Sequence, residues 1–269
     1  NYKEYPEYNG RDRKIKDLCD VGSLWLYGDD VIIQRVPPAC IQACESVTIL
    51  TYMFEGSLMH SWLHLNGIPY SKIYPDKLRT SKELKESIRD RLNIIEPSKT
   101  ILGIQVDSQG LPIDSCFSLS WYNNSKAITL ESVKKSVELT LKKNMLKGGV
   151  FWTTFVDYQS IMSGVGYSRS RRVPWMDTPR SPFLSKNTRA SNEYRDCVSC
   201  LYMVNVYPNT SIEHHLKQFS IIVDRDKYAL SEMVQFLFRG SIRMGEDMDI
   251  LVLSNRMRTL LEEWLNNEE

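Results

Sequence analysis

Three side chains near the end of the sequence have the types and the spacing needed to bind a phosphate. Gln235, Arg239 and Arg243 follow one another at intervals of four residues, which would place them on one face of a helix. Guanidinium groups are always charged and bind phosphate oxygens through paired hydrogen bonds. The same spacing also fits an ordinary solvated helix face with two surface arginines, so the pattern alone leaves both interpretations open.

The segment around these residues predicts a helix followed by a strand. Its apolar residues recur at helical spacing and form a stripe offset from the arginines: Leu230, Val234, Leu237 and Phe238. We expect Gly245 to end the helix and residues 248–253 to form the strand. Two arginines projected from one helix beside a buried strand would suit a phosphate site.

A polar segment from residue 163 to residue 194 contains most of the local positive charge. Its cationic side chains include Arg169, Arg171, Arg172, Arg180, Lys186 and Arg189. The net charge of the whole sequence is only +1, which does not exclude a local basic groove. Long segments without a periodic pattern are usually functional or mobile. The sequence leaves two interpretations for Arg169, Arg171 and Arg172: they line a nucleic-acid groove, or they belong to a solvated loop.

The elements that would position these residues alternate between apolar strands and amphipathic helices from residue 130 onward. Strands are predicted at 150–156, 197–206 and 248–253, with helices at 130–146, 211–219 and 255–267. Earlier runs predict strands at 24–27, 31–36, 47–52 and 100–106 and helices at 57–66 and 81–93. This order predicts an α/β fold, a parallel sheet with helices on both faces, and residues 69–128 as a connection between two lobes.

Four stretches, in the right order, resemble a known family. The stretch QFLFRGSIR (235–243), with DILVLS (249–254), resembles the sixth motif of superfamily-two helicases of the DEAD/DEAH type. The stretch NTRASNEYRDCVSCLYMVN (187–205) resembles the fifth motif and its following strand, in the form found in phage and plasmid replication helicases. GGVFWTTF (148–155) resembles the opening strand of the second RecA-like lobe, and VTILTYMFEGSL (47–58) is similar to the segment carrying the third motif.

The resemblance implies a RecA-like fold, with residues 1–68 as the end of a first lobe and 129–269 as the second lobe. It implies ATP and Mg²⁺ as cofactors, held mainly by another RecA-like lobe, and a nucleic acid as partner, with DNA expected. Arg239 and Arg243 would be arginine fingers, with Gln235 orienting water or the γ-phosphate. The other implied roles are nucleotide contacts by Asn187, Thr188, Arg189 and Asn192, nucleic-acid contacts by Thr153, Thr154 and Ser191, and coupling by Thr51 and Tyr52.

Two departures from the family pattern limit what this chain could do alone. The second arginine of the sixth motif usually comes seven residues after the glutamine, whereas Arg243 comes eight after Gln235. No phosphate loop of the form G-x-x-x-x-G-K-[ST] occurs in the sequence. Either such a loop precedes Asn1 in the natural protein, or the protein has lost it. The first case predicts part of an ATP-dependent helicase, and the second a non-catalytic nucleic-acid-binding module.

Cysteine and histidine spacing offers a rival interpretation. Cys40, Cys44, His60 and His64 are spaced C-x₃-C-x₁₅-H-x₃-H, close to the spacing of a zinc-finger DNA-binding protein. A helix carrying both cysteines, followed by an apolar run, explains them better, so we expect no metal. Cys197 and Cys200 fall in an apolar strand, which disfavours a redox pair. No apolar run is long enough to span a membrane, and six cysteines in 269 residues favour a reducing cytoplasm. The resemblance to phage and plasmid helicases implies a bacterial or phage-infected cell.

Overall fold

The fold is taken from a computed structural model that describes residues 9–28, 31–73, 81–144, 148–188 and 191–267. The chain divides into two units that are each assembled from two separate stretches. Unit one comprises Asn1–Ser71 and Pro208–Asp224, and unit two comprises Lys72–Tyr207 and Arg225–Glu269. Each unit therefore depends on residues that are distant in sequence.

Unit one combines a two-stranded hairpin with short helices. Its elements are α1 (Arg13–Asp20), β1 (Leu24–Tyr27), β2 (Val31–Gln34), α2 (Ala39–Gln42), a 3₁₀ turn (Phe54–Gly56), α3 (Leu58–Leu65) and α9 (Thr210–Lys217). β1 and β2 pair antiparallel. Ser57 caps α3 by accepting a hydrogen bond from the His60 amide at 3.2 Å, because the first amides of a helix lack partners within it. These two strands and this helix confirm the sequence prediction.

The apolar run at residues 47–52 does not form the buried strand that its composition predicted. It is an irregular segment of unit one, and Leu50 is 92% exposed. Thr51 and Tyr52 therefore lie outside any sheet. A β-branched run favours a strand only where a neighbouring strand is present to pair with it, and this run pairs with no strand among the described residues.

Unit two contains the parallel sheet that was predicted from the strand–helix alternation. Its elements are α4 (Ser81–Arg89), β3 (Leu92–Ile95), α5 (Lys99–Gly103), α6 (Leu119–Asn124), α7 (Ala127–Asn144), β4 (Val150–Thr153), α8 (Gln159–Met162), β5 (Ser199–Tyr202), α10 (Arg225–Leu237), β6 (Met248–Val252) and α11 (Asn255–Asn266). The strands follow the order β3-β6-β5-β4, and all pairs are parallel.

Both faces of this sheet are covered by helices, as expected. On one face the row Ile95, Leu251, Leu201 and Trp152 packs into a core with residues of α7 such as Val133 and Val137. On the other face Phe236 of α10 packs against Phe151 and Tyr202, with ring centroids 5.2 and 5.5 Å apart. Strands buried on both sides explain the continuous apolar runs in the sequence.

Residues 69–128 were predicted as a connection between lobes, and those from Lys72 onward fall in unit two. They supply β3, an edge strand that was predicted as the end of a helix reaching residue 93. The predicted strand at 100–106 is also wrong, because Lys99–Gly103 is a helix. Ser98 caps this helix by accepting from the Ile101 amide at 3.3 Å, and such a cap outweighs the β-propensity of a short apolar run. Among the described residues, no helix is long and apolar enough to cross a membrane.

Candidate functional site

The helix that carries Gln235 ends sooner than the sequence predicted. α10 stops at Leu237, so Arg239 and Arg243 do not share a helical face with Gln235. Gly240 follows in an extended conformation, and a Cβ on it would lie 2.5 Å from Met248 Sδ and 2.8 Å from Phe151 Cε1. Because the backbone approaches the sheet this closely, a side chain at position 240 would collide with β4 and β6, which favours glycine there.

Arg243 lies beyond the end of the helix, in a separate turn, Ser241–Met244. Hydrogen bonds attach this turn to the chain at the start of β5 and β6. The Ser241 amide donates to the Cys197 carbonyl at 2.9 Å, and its hydroxyl donates to the Asp247 carbonyl at 2.9 Å. Cys197 lies two residues before β5, and Asp247 directly precedes β6. The turn is therefore held at the amino edge of the sheet, where the strands begin.

Two of the predicted site residues meet at this amino edge. Arg243 Nη1 donates to Asn192 Oδ1 at 2.5 Å across 51 positions of sequence. Both side chains are exposed, whereas Arg239 is only 8% exposed. The stretches that resemble the fifth and sixth helicase motifs thus come together in space. Arg243 is the arginine that a ligand in solution could reach.

A buried arginine that was not singled out as a site residue fixes the segment containing Asn192. Arg180 is 4% exposed and forms a two-pronged ion pair with Asp196, with N–O distances of 2.5 and 3.1 Å. It also donates to the Glu193 carbonyl and, at 3.0 Å, to Cys197 Sγ. Burial opposes ionisation of Asp196, but the hydrogen bond and charge of Arg180 outweigh it and lower the pKa of that carboxyl. Arg180 therefore holds residues 193–197 in place.

Arg180 also closes a loop that presents an aromatic side chain to solvent. Arg171 and Arg180 exchange backbone hydrogen bonds of 3.0 and 2.8 Å, which close residues 172–179 into a hairpin-like loop. Trp175 lies in this loop and is 50% exposed, and the Arg195 guanidinium lies 5.6 Å from its ring centre. Trp175 and Arg195 were missed from sequence, although a tryptophan between prolines in an arginine-rich loop is a usable signal.

The other predicted phosphate and nucleic-acid contacts are scattered. Arg169, Arg171, Arg172 and Asn187 are exposed, Thr188 and Ser191 are half-buried, and Arg189 lies outside the described residues. Thr153 and Thr154 are 0% and 1% exposed and lie at the carboxyl end of β4, the opposite edge from Arg243. Their surroundings exclude contact with a nucleic acid in this conformation.

The carboxyl edge of the sheet is occupied by side chains of the protein itself. Asn205 follows β5 and is 1% exposed, and its amide donates to the carbonyls of Asp114 and Cys116 at 2.6 and 3.0 Å. Its Oδ1 accepts from Arg256 Nη1 at 2.8 Å, and Arg256 also pairs with Asp226 at 2.7 Å. These bonds tie Asn205 and Arg256 to the protein at this edge of the sheet.

Neither cysteine-containing alternative gains support. Among the described residues, no group of three or more His, Cys, Asp or Glu side chains could hold a metal ion. Cys40 and Cys44 are exposed, and Cys44 Sγ donates to the Cys40 carbonyl at 3.6 Å. Burial raises the pKa of Cys197 to about 11 and that of Cys200 well above its ordinary value. Since the thiolate is the reactive form, neither buried thiol is suited to redox chemistry.

Comparison with known proteins fits this architecture. A family model described as the YonV C-terminal Rossmann-like domain matches residues 86–265, which cover the sheet and its helices. The chain belongs to this family. A curated relative is the SPbeta prophage-derived uncharacterized protein YonV of Bacillus subtilis (strain 168), 29% identical over 278 residues. The match covers 97% of the chain but only 62% of that relative. No solved structure matches.

Proposed function

We propose that the chain is part of an ATP-dependent nucleic-acid helicase or translocase, to which unit two contributes an arginine and contacts to the nucleic-acid backbone. The observation that supports this most is the hydrogen bond between Asn192 and Arg243. It joins the two stretches whose sequences resemble the fifth and sixth helicase motifs. In such enzymes these motifs lie beside the nucleotide, so their contact is the expected consequence of a second RecA-like lobe.

Arg243 is the better candidate for the arginine finger. The side chain of an arginine finger has to extend from the surface of its own lobe to reach the transferring phosphoryl group, where its charge stabilises the transition state. Arg243 is exposed, and its partner Asn192 is a neutral amide that leaves the positive charge uncompensated in that contact. Arg239 is buried beside Gly240, which suits a positioning role. Gln235 is half-buried in the last turn of α10, and would orient water or the γ-phosphate.

ATP and Mg²⁺ fit the amino edge only in part. Arg243 and Asn192 supply donors for phosphate oxygens, and Asn187 and Thr188 lie on the segment just before Asn192. Among the described residues, no cluster of carboxylates could hold a metal, so Mg²⁺ and most of the phosphate contacts would come from another lobe. When bound, ATP would supply the phosphoryl group, and this chain would stabilise its developing negative charge.

The nucleic acid would contact the exposed basic loop beside this edge. Arg169, Arg171 and Arg172 carry charge to the phosphates, and such contacts position a strand without reading its sequence. Trp175 offers an exposed ring on which a base stacks, a contact worth about 1–3 kcal/mol per base. The prophage origin of the relative supports a role in a bacterial or phage-infected cell, and DNA is the proposed substrate.

The decisive experiment measures ATP hydrolysis by the intact gene product with and without single-stranded DNA. Arg243→Ala should lower the DNA-stimulated rate by roughly 10³–10⁵-fold, the usual effect of losing an arginine finger. Lys135→Ala is the matched control, since Lys135 is an exposed cation of α7 in the same unit. An Arg243→Ala variant that keeps the wild-type rate would refute the finger.

Binding measurements separate the enzyme from its non-catalytic alternative. Trp175→Ala should weaken binding of single-stranded DNA by about 5- to 150-fold, and Trp175→Phe should weaken it less, because a ring remains for stacking. Tight DNA binding by a gene product that never hydrolyses ATP would favour the non-catalytic nucleic-acid-binding module. No DNA or RNA binding at all would count against both functions.

A further inference from the structure

Unit one contains a pair of histidines that the proposed helicase function does not use. His60 and His64 lie four residues apart on α3, a spacing that puts both side chains on one helical face. His64 is exposed, and His60 is half-buried. Among the described residues, no third His, Cys, Asp or Glu side chain completes a metal-binding group with them. The pair is therefore a candidate site of two ligands, which needs no cysteine.

The two imidazole rings of this pair lean towards each other. Their centroids are 4.6 Å apart, and the ring planes are inclined at 58°. Side chains four residues apart on a helix begin at Cβ atoms about 5–6 Å apart. The rings thus lie closer together than the positions from which they extend. Inclined planes allow the nitrogen lone pairs of two rings to meet at one point, whereas parallel stacked rings direct them side by side.

The separation of the rings matches that of two ligands on one metal ion. A metal binds an imidazole nitrogen at about 2.0–2.1 Å along its lone pair, which puts the ion about 3.2 Å from the ring centre. Two ring centres are then about 4.5 Å apart for a nitrogen–metal–nitrogen angle of about 90°, and about 5.2 Å apart for the tetrahedral angle of about 109°. The observed 4.6 Å fits the right angle. Right angles are typical of Cu²⁺ and Ni²⁺ sites, whereas Zn²⁺ sites are usually tetrahedral.

Neighbouring aromatic side chains hold the His60 ring in this orientation. Phe54 and Tyr70 meet it edge-on, with ring centroids 5.5 and 5.8 Å away. A ligand that is already held in place loses little conformational entropy when it binds an ion. The exposed ring of His64 gives an ion direct access from solvent. One ring of the pair is thus fixed by packing, and the other is accessible.

We propose that His60 and His64 chelate a late first-row divalent metal ion, with Cu²⁺ bound most tightly. Each neutral imidazole supplies one nitrogen lone pair, and water occupies the remaining positions around the ion. Nitrogen ligands bind Cu²⁺ more tightly than Ni²⁺ or Zn²⁺, and the near-right angle between the two rings favours the same ion. Both ligands belong to unit one, so the site does not depend on the helicase function proposed for unit two.

The test is titration with Cu²⁺, followed by electron paramagnetic resonance. The full chain carrying Cys19→Ser, Cys40→Ser and Cys44→Ser is the reference protein, because these exposed thiols would also bind copper. It should bind one equivalent of Cu²⁺ with a signal split by two nitrogen nuclei. Its affinity for Cu²⁺ should exceed those for Ni²⁺ and Zn²⁺ by about tenfold or more. Failure to form a one-to-one complex would refute the site.

Single substitutions in the reference protein identify the ligands. His64→Gln changes an exposed residue and should lower the affinity for Cu²⁺ by about ten- to hundredfold, with one coupled nitrogen left instead of two. His60→Gln should have the same effect, and if it fails to fold, His64→Gln still decides. His214→Gln is the matched control, since His214 is an exposed histidine of α9 in the same unit. Unchanged binding by His64→Gln, or loss of binding by His214→Gln, would overturn the assignment.

Discussion

The two edges of the parallel sheet differ in what occupies them. In open α/β sheets, ligands usually bind outside the carboxyl ends of the strands. Here that edge is filled by Asn205, Arg256 and Gln105, and Gln105 Nε2 donates to the Leu253 carbonyl at 2.9 Å. The amino edge instead exposes Arg243 and Asn192. Side chains at the carboxyl edge thus bond to one another within the fold, whereas a charged arginine and a neutral amide are accessible at the amino edge.

The strongest test of this comparison is removal of Arg256 from the carboxyl edge. Arg256→Ala deletes the bonds to Asn205 Oδ1, the Val206 carbonyl and Asp226, and leaves the buried Asn205 oxygen without its donor. We expect the free energy of unfolding to fall by about 3 kcal/mol, measured by urea denaturation. Affinity for single-stranded DNA should stay within about twofold of wild type. A loss of DNA binding with unchanged stability would reverse the assignment of the two edges.

Gly240→Ala tests whether close packing positions the amino edge. The added Cβ meets Met248 Sδ, Phe151 Cε1 and, at 3.0 Å, the Cys197 carbonyl that accepts from Ser241. We expect a loss of about 2 kcal/mol in unfolding free energy, together with reduced DNA-stimulated ATP hydrolysis, because the turn carrying Arg243 must shift. Gly103→Ala in α5 is the control, since its Cβ meets nothing within 4 Å. Equal stability of the two variants would contradict the packing account.

Asp196→Asn tests the ion pair that supports the amino edge. The pKa of Asp196 is lowered in the folded protein from its ordinary 3.8, so the pair stabilises the fold above that pH. This contribution is lost as the pH falls through the lowered pKa. At about pH 7 we expect the variant to be about 1–2 kcal/mol less stable, a figure reduced for the partial exposure of the carboxylate. Urea denaturation over a pH series should show this gap closing in acid. A difference in unfolding free energy between the two proteins that stays constant below pH 3.8 would contradict this account of the ion pair.

Thr153→Val should have the smallest effect and separates burial from binding. The hydroxyl of Thr153 is buried, with no hydrogen-bond partner among the described residues. Replacing it by a methyl of similar size should change unfolding free energy by less than about 1 kcal/mol, in the stabilising direction. DNA affinity should not change. Thr153→Ser, which keeps the hydroxyl and loses the methyl, is the matched control and should be less stable by about 1 kcal/mol. Weaker DNA binding by Thr153→Val would instead show that the Thr153 hydroxyl contacts the nucleic acid.

The sheet could be predicted because its strands are buried on both faces. β4, β5 and β6 appear in the sequence as apolar runs separated by helical periodicity, which specifies a parallel α/β arrangement. Strand β3 could not be predicted in the same way, since four residues at an edge give little periodic signal. The run at 47–52 has the composition of a strand, but it pairs with no strand among the described residues.

The candidate site was predictable in its residue types but not in its geometry. The interval of four between Gln235, Arg239 and Arg243 suggested one helical face, yet α10 ends at Leu237, and an added Cβ on Gly240 would collide with β4 and β6. Those contacts are distant in sequence and leave no local signal. The bond between Arg243 and Asn192 likewise spans 51 positions. Arg180 was noted only as one cation of a basic segment, because its burial depends on Asp196 and Cys197.

The discontinuous makeup of unit one has a consequence for protein synthesis. Residues up to Ser71 leave the ribosome first, but Pro208–Asp224, which supplies α9 and His215, follows after 136 intervening residues. At about 5–20 residues per second, this interval lasts roughly 7–27 seconds. During that time the hairpin and α3 have no α9 to cover them, and their apolar surfaces are open to aggregation or to a chaperone. Slowing translation just before the codon for Pro208 should therefore reduce the yield of folded protein.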